Sequence, residues 1–192
     1  LAAPLESVSS GDIMRRPLVA GNWKMNGTAT SVEALVTGLV TADSPSCELL
    51  VCPPSVFLAQ VRAGLSLAGY EKEIGLGAQD VSQHESGAFT GENSAEMLVE
   101  FGCRYVLIGH SERRQYHGES DEAVAAKVER CLAVGLRPIV CIGETLEQRR
   151  NGSVLAIIAQ QLGTLAQTVA REDWGRFDIA YEPVWAIGTG ES

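Results

Sequence analysis

Beyond Met14 the chain alternates short apolar runs with longer stretches of helical period, and this alternation constrains the fold more than any other feature. The runs are Leu18 to Trp23, Cys47 to Cys52, Ile74 to Gln79, Arg104 to His110, Pro138 to Glu144 and Phe177 to Trp185. Each is rich in Val, Ile, Leu or Cys and shows no polar alternation, the pattern of parallel strands buried on both faces. Between them, Val124, Val128, Cys131 and Leu132 make one stripe along a helix over Asp121 to Gly135, with Gly135 as its stop. Val154, Ile157, Ile158, Leu162, Leu165 and Val169 repeat the pattern after Asn151. Thr30-Ser-Val-Glu33 and Thr145-Leu-Glu-Gln148 have the capping-box form and predict two helix starts.

Six β-then-α units, the last ending before its helix, fit an α/β class with two architectures: an open doubly wound sheet or a (β/α)₈ barrel of which about the first six units are present. Strand endings decide. An open sheet gathers its chemistry at one switch point, whereas a barrel spreads it over the C-terminal ends of many strands. Here Asn22 and Lys24, Gln79 and Asp80, His110, Glu144 and Glu182 all sit at strand ends, which favours the barrel. Neither G-x-G-x-x-G after the first strand nor G-x-x-x-x-G-K-[ST] occurs, so the common nucleotide fingerprints are absent.

At 192 residues and 45% hydrophobic, the chain has material for one sizeable core. A formal net charge of −9 argues against a nucleic-acid partner, which needs clustered Lys and Arg. The apolar runs are too short to cross a membrane. An anionic substrate would need backbone N–H groups and one or two placed cations. Cys47, Cys52, Cys103, Cys131 and Cys141 are odd in number and lack C-x-x-C spacing, which predicts reduced, mostly buried thiols and a cytoplasmic location. Residues 1–13 are small, polar and aperiodic, and read as an appended remnant or a disordered N-terminal segment ahead of one partial barrel domain over 14–192.

The candidate chemistry lies at the strand ends. Taken alone, a lysine there is more often a surface cation, but in the mouth of a barrel Lys24 would hold a phosphate or an enolate oxygen, with Asn22 orienting the same oxygen. A lone histidine is more often structural. Ser111-Glu112-Arg113 would open a short helix, however, leaving His110 near its N-terminus as a neutral imidazole that donates a hydrogen bond. Glu182 follows an apolar strand and precedes Pro183, which biases it toward extended backbone, and a mouth that excludes water would suit it to act as a base. Gly188 and Gly190 bracket a lid-like segment whose N–H groups would grip a phosphate. The three histidines lack i, i+4 spacing, the cysteines are unpaired and G-x-S-x-G does not occur, so no metal site and no serine nucleophile are expected.

Together these blocks resemble the triosephosphate isomerase family. The matching stretches are Gly21-Asn-Trp-Lys-Met-Asn26, Ser86-Gly-Ala-Phe-Thr-Gly-Glu92, Ile108-Gly-His-Ser-Glu-Arg-Arg114, Ile139-Val-Cys-Ile-Gly-Glu144 and Ala180-Tyr-Glu-Pro-Val-Trp-Ala-Ile-Gly-Thr-Gly190. The resemblance implies a TIM barrel and a cofactor-free enzyme of glycolysis and gluconeogenesis that interconverts dihydroxyacetone phosphate and glyceraldehyde 3-phosphate through an enediolate. By the same resemblance Glu182 is the base, His110 the neutral electrophile, and Lys24 and Asn22 stabilise the enediolate oxygen. Gly188 gives its N–H to the phosphate. Ser111 and Glu112 support the site, and Thr90 reaches into the neighbouring subunit of a homodimer. This family serves as a standard example of pKa tuning, lid closure and the barrel itself.

Glu191 departs from the family pattern in the lid hinge. A complete barrel requires two further β/α units, so the resemblance also implies a partial chain, and no significant isomerase activity for residues 1–192 in isolation. The alternatives are another phosphosugar barrel enzyme, which does not explain all five blocks, and a non-catalytic phosphate-binding scaffold, which would be expected to have lost Lys24, His110 or Glu182.

Overall fold

The structure, a computed structural model, describes residues 17–42, 46–70 and 73–186. Six strands, β1 (Leu18–Asn22), β2 (Glu48–Cys52), β3 (Ile74–Ala78), β4 (Tyr105–Ile108), β5 (Arg137–Ile142) and β6 (Asp178–Tyr181), pair in sequence order, and every pair is parallel. Spatial order that follows sequence order without reversal is the topology of a barrel wall, not of a doubly wound sheet. The helices are α1 (Ala29–Thr41), α2 (Leu58–Leu67), α3 (Ala95–Glu100), α4 (Ser111–His117), α5 (Asp121–Ala133), α6 (Leu146–Arg150) and α7 (Val154–Thr168). Among the described residues no helix is long and apolar enough to cross a membrane.

The unbroken apolar runs are explained by two cores. Val51, Val106, Ile108, Val140 and Ile142 face the helices, where they pack with Val32, Val61, Leu65, Val124 and Val128. Their neighbours Leu50, Cys52, Tyr105, Leu107 and Ile139 form a second cluster on the concave face. Successive side chains of a strand point to opposite faces, so a strand with a core on each side needs apolar residues throughout. The concave face is narrow at β3. A Cβ on Gly77 would lie 2.7 Å from Cys52 Sγ and 3.0 Å from a Leu50 methyl, so glycine there is what lets Leu50 fill the interior.

The edge strands depart from the expected burial on both faces. Val19 of β1 and Ile179 of β6 are 56% and 41% exposed. In the described sheet β1 and β6 are the end strands and each pairs on one side only, in keeping with the exposed positions along both. The stripe on α7 is also shallower than its period predicts. Only Leu165 and Gln161 are buried within the helix, while Val154, Ile157, Ile158 and Leu162 are half-buried.

The first helix starts earlier than Thr30-Ser-Val-Glu33 predicts. Thr28 is the N-cap, and its side chain exchanges hydrogen bonds with Ser31 in a reciprocal box. With the cap moved to Thr28, the third helical position is Ser31 rather than Glu33, so a serine closes the box, directly after Gly27 (φ +128). The Thr145 and Gln148 box forms as expected, and α5 ends ahead of Gly135 (φ +82), with the predicted stripe buried.

Cys52, Cys103, Cys131 and Cys141 are buried, and burial pushes each thiol up to about 12. At pH 8 a thiol-specific reagent is therefore expected to spare these four in the native protein and label all of them in guanidinium chloride. Rapid labelling of any of the four without denaturant would contradict the packing described.

Candidate active site

The C-terminal ends of the strands all open on one side, and the polar residues singled out in the sequence collect there. Asn22 ends β1, His110 lies two residues beyond β4, and Glu182 follows β6 directly. A cavity of about 350 Å³ is lined by Asn22, Lys24, Gln79, His110, Glu112 and Arg113 among others.

Lys24 is the only non-glycine residue with positive φ (+51) among those described. A left-handed lysine costs on the order of 1–3 kcal/mol and persists only where its surroundings over-determine it. Here the Lys24 N–H donates to Asn22 Oδ1 at 2.9 Å. Gln79 Nε2 donates to the Lys24 carbonyl at 2.9 Å and to the Cys52 carbonyl at 2.8 Å, tying the turn to the end of β2. The side chain then reaches across the mouth, and Nζ meets Glu112 Oε1 at 2.6 Å. Since an ammonium has three donors, this pairing fixes its position and leaves two for the cavity.

His110 is the N-cap of α4 and only 5% exposed. The Glu112 backbone N–H donates to His110 Nδ1 at 3.2 Å, so Nδ1 carries a lone pair and the proton of the neutral ring sits on Nε2. That nitrogen faces Glu182, whose Oε2 lies 3.6 Å away, outside hydrogen-bond range. Glu182 Oε2 is buried and accepts no hydrogen bond. Among the described residues that oxygen is thus unengaged, beside a donor and next to the mouth. It lines a smaller pocket of about 10 Å³ behind His110, together with Ser111, Cys141 and Gly143.

Beneath the segment that carries Glu182 lies Glu144, fully buried. Its carboxylate accepts from Tyr181 Oη at 2.9 Å, Trp185 Nε1 at 3.1 Å and Arg149 Nη1 at 3.2 Å. Burial alone would raise its pKa, but the Trp185, Tyr181 and Arg149 donors and its own backbone N–H hold the carboxyl below the usual carboxylate range. Arg149 also stacks over the Trp185 ring at 4.6 Å. The Val184 N–H donates to the Glu144 carbonyl at 3.1 Å, so one residue grips the chain on both sides of Glu182.

A second ionic group braces the floor of the mouth. Arg113 Nη2 pairs with Asp80 at 2.9 Å, Lys127 Nζ with Asp80 at 2.7 Å, and both cations with Glu119. Burial raises the Asp80 pKa against the opposing pull of Lys127. These contacts tie α4 and α5 to the end of β3.

The geometry therefore brings Asn22, Lys24, His110, Glu112 and Glu182 together, with Ser111 at the first turn of α4. Thr90 is exposed and stands apart, in the loop whose Phe89 ring stacks on His84 at 3.7 Å. Gly188, Gly190 and Glu191 lie outside the described residues. Sequence reasoning missed the double role of Gln79 and the close approach of Gly143 to Glu182. Neither has a local signature, because each depends on which strand ends become neighbours. Among the described residues no group of His, Cys, Asp and Glu could hold a metal ion.

Fold and site define a parallel barrel protein with a carboxylate, an imidazole and an ammonium converging at the C-terminal ends of its strands. Residues 17–192 match the family described as triosephosphate isomerase. The chain belongs to that family. It is similar to proteins named triosephosphate isomerase from Herminiimonas arsenicoxydans (51% identical over 181 residues) and Albidiferax ferrireducens (53% over 180), and each alignment covers 93% of this chain and 71% of the relative. The namesake from Vibrio sp. (strain ANT-300) is 51% identical over 181 residues, covering 93% of this chain and 70% of its own length.

A depressed carboxyl contributes stability above its unfolded value and loses it as pH falls through the folded one. Trp185 fluorescence, read in a variant with Trp23 and Trp174 replaced by Phe, should therefore stay constant down through the ordinary carboxylate range and change only below it, as Glu144 protonates. A transition near pH 6 would contradict the described hydrogen bonding.

Proposed function

We propose that this chain carries the site of a cofactor-independent isomerase that interconverts dihydroxyacetone phosphate and D-glyceraldehyde 3-phosphate by proton transfer. The Glu182 carboxylate takes a proton from the hydroxyl-bearing carbon beside the carbonyl. The C–H electron pair forms the carbon–carbon double bond, and the carbonyl pair moves onto oxygen, giving the enediolate. His110 Nε2–H donates to that oxygen, and Lys24 offsets its charge. Asn22 joins through its NH₂ group, since its Oδ1 is occupied by the Lys24 N–H. Through His110 Nε2 the enediolate oxygen gains a proton and the neighbouring hydroxyl loses one, so that the pair of that O–H bond forms the new carbonyl. Protonated Glu182 returns its proton to the former carbonyl carbon, and the isomerisation closes with no net redox change and no co-reactant.

The observation that carries this reading is the buried, unengaged Glu182 oxygen, 3.6 Å from a histidine whose Nδ1 is already occupied. A base needs a free lone pair, and an electrophile in neutral form needs its proton on the outward nitrogen; both conditions hold together here. Family membership supports the substrate. Gly188 is assigned to the phosphate, Ser111 and Glu112 to support of the site, and the enzyme to the cytoplasm, in keeping with its buried thiols. Phe89, 41% exposed, and Thr90 in the loop over 86–92 support a homodimer in which this loop enters the partner subunit's site.

Glu182→Gln keeps the side chain's size and removes the base, so kcat should fall by about 10²-fold to 10⁴-fold or more in a coupled assay, with KM changed far less. Near-normal turnover by this variant would reject the assignment of the base. Activity should survive exhaustive chelation, and a loss restored by a divalent ion would reject the metal-free mechanism. Light scattering of the active enzyme should report a dimer, whereas an active monomer would exclude the intersubunit role of Thr90.

A further inference from the structure

Glu182 is held by three consecutive residues at the end of β5. Its N–H donates to the Ile142 carbonyl at 2.8 Å, and Glu144 grips the residues on either side of it. Between them, Gly143 is in direct contact with the Glu182 backbone. A Cβ built on Gly143 would stand 1.8 Å from the Glu182 carbonyl oxygen and 2.7 Å from its carbonyl carbon. The height of the Glu182 main chain above the sheet is thus set by where Gly143 sits. Yet a glycine is the residue least able to hold its own peptide planes.

What holds Gly143 comes from outside the sheet. Gln161, on α7 and 8% exposed, accepts the Gly143 N–H at Oε1 (3.0 Å) and donates from Nε2 to the Gly143 carbonyl (3.2 Å). One side-chain amide thereby binds both backbone groups of a single residue, and this fixes its own orientation, since the N–H requires the oxygen and the C=O the nitrogen. A buried glutamine facing a strand end is a costly choice over leucine unless both ends are satisfied, and here both are.

We propose that Gln161 is a positioning residue for Glu182, acting through this two-bond clamp on Gly143. The inference rests on the reading of Glu182 as the base. Gln161 lies on the far side of the strand end from the cavity and touches no reacting group. Its role is to keep the peptides flanking Gly143 from rotating and carrying the Glu182 carbonyl with them. Reactive geometry tolerates little such drift, since a displacement of about 1 Å at a reacting group costs roughly 10²-fold in rate.

The test replaces Gln161 with Leu, and with Met should the branched side chain prevent folding. In either folded variant, amide hydrogen exchange at Gly143 and Glu182 should quicken at least about tenfold, while exchange at Val106 and Val140 in the same sheet stays within about twofold. Equal acceleration at all four amides would mean a general loss of stability and overturn the clamp, as would no acceleration at Gly143 and Glu182. In the active enzyme, kcat should fall roughly tenfold to a hundredfold with KM little changed, and the isotope effect with substrate deuterated at the transferred position should rise as proton transfer becomes slower. In the Glu182→Gln background the same replacement should cost no more than about twofold further, because the group being positioned is already gone. A Gln161→Leu enzyme with normal kcat and an unchanged isotope effect, set beside an inactive Glu182→Gln enzyme, would overturn the clamp and leave the base assignment standing. An active Glu182→Gln enzyme would instead remove the premise.

Discussion

Everything that meets in the mouth of this molecule depends on the parallel, in-order pairing of β1 to β6. Such pairing points all six C-terminal ends the same way, so residues from Asn22 to His110, far apart in sequence, face one cavity, with Glu182 3.6 Å from His110 at its side. It also requires a helical return after nearly every strand, and those helices build the apolar core on the convex face, while the strands' own side chains fill the concave one. Chemistry and packing thus occupy different parts of the same strand: the middle is apolar and the end is polar. The short helix after β4 shows the economy of this arrangement, since its first turn supplies the N–H that fixes the tautomer of His110.

The mouth is rich in acids, and its charge is managed by pairing. Glu112 is occupied by Lys24, Asp80 and Glu119 by Arg113 and Lys127, and Glu144 by three donors. Glu182 is different: among the described residues its carboxylate pairs with no lysine or arginine, and its Oε2 is buried and accepts nothing, whereas Glu119, whose Oε2 is likewise unsatisfied, is held by Arg113 and Lys127 through Oε1. An unsatisfied buried oxygen costs about 1–3 kcal/mol or more, and a free lone pair is what proton abstraction requires. The left-handed backbone of Lys24 is a second local cost at the same site, offset by the Asn22 and Gln79 hydrogen bonds.

Much of this was legible in the sequence. Apolar runs of strand length located all six strands to within a few residues, and polar strand ends separated a barrel wall from a doubly wound sheet. Strand-end position put Asn22, Lys24, His110 and Glu182 among the candidates beside Gln79, Asp80 and Glu144, and the family resemblance, not position alone, gave them their expected roles; Glu144, equally a strand-end residue, is fully buried beneath the site. Burial was less legible. Val19 and Ile179 have the composition of core residues, and whether they are covered depends on what lies beside β1 and β6. The start of α1 was misplaced because Thr28 and Thr30 are both competent caps, and Thr28 finds in Ser31 a reciprocal partner that the glutamate pattern did not anticipate. The roles of Gln79, Gly143 and Gln161 were invisible for a different reason. Each acts on a backbone group brought near only by folding, and a glutamine or glycine has the same appearance in sequence whether it clamps a strand end or sits idle.

The central claim is that a single carboxylate moves a proton, rather than a hydride, between neighbouring carbons. Glu182 is about one-third exposed as a side chain, so a proton held on it can exchange with solvent before it is returned. Turnover in deuterium oxide tests this directly. The account predicts deuterium bound to carbon in the product, and in recovered substrate as the reaction reverses. Efficient conversion with no deuterium bound to carbon in either pool would indicate direct transfer between the carbons and would contradict it.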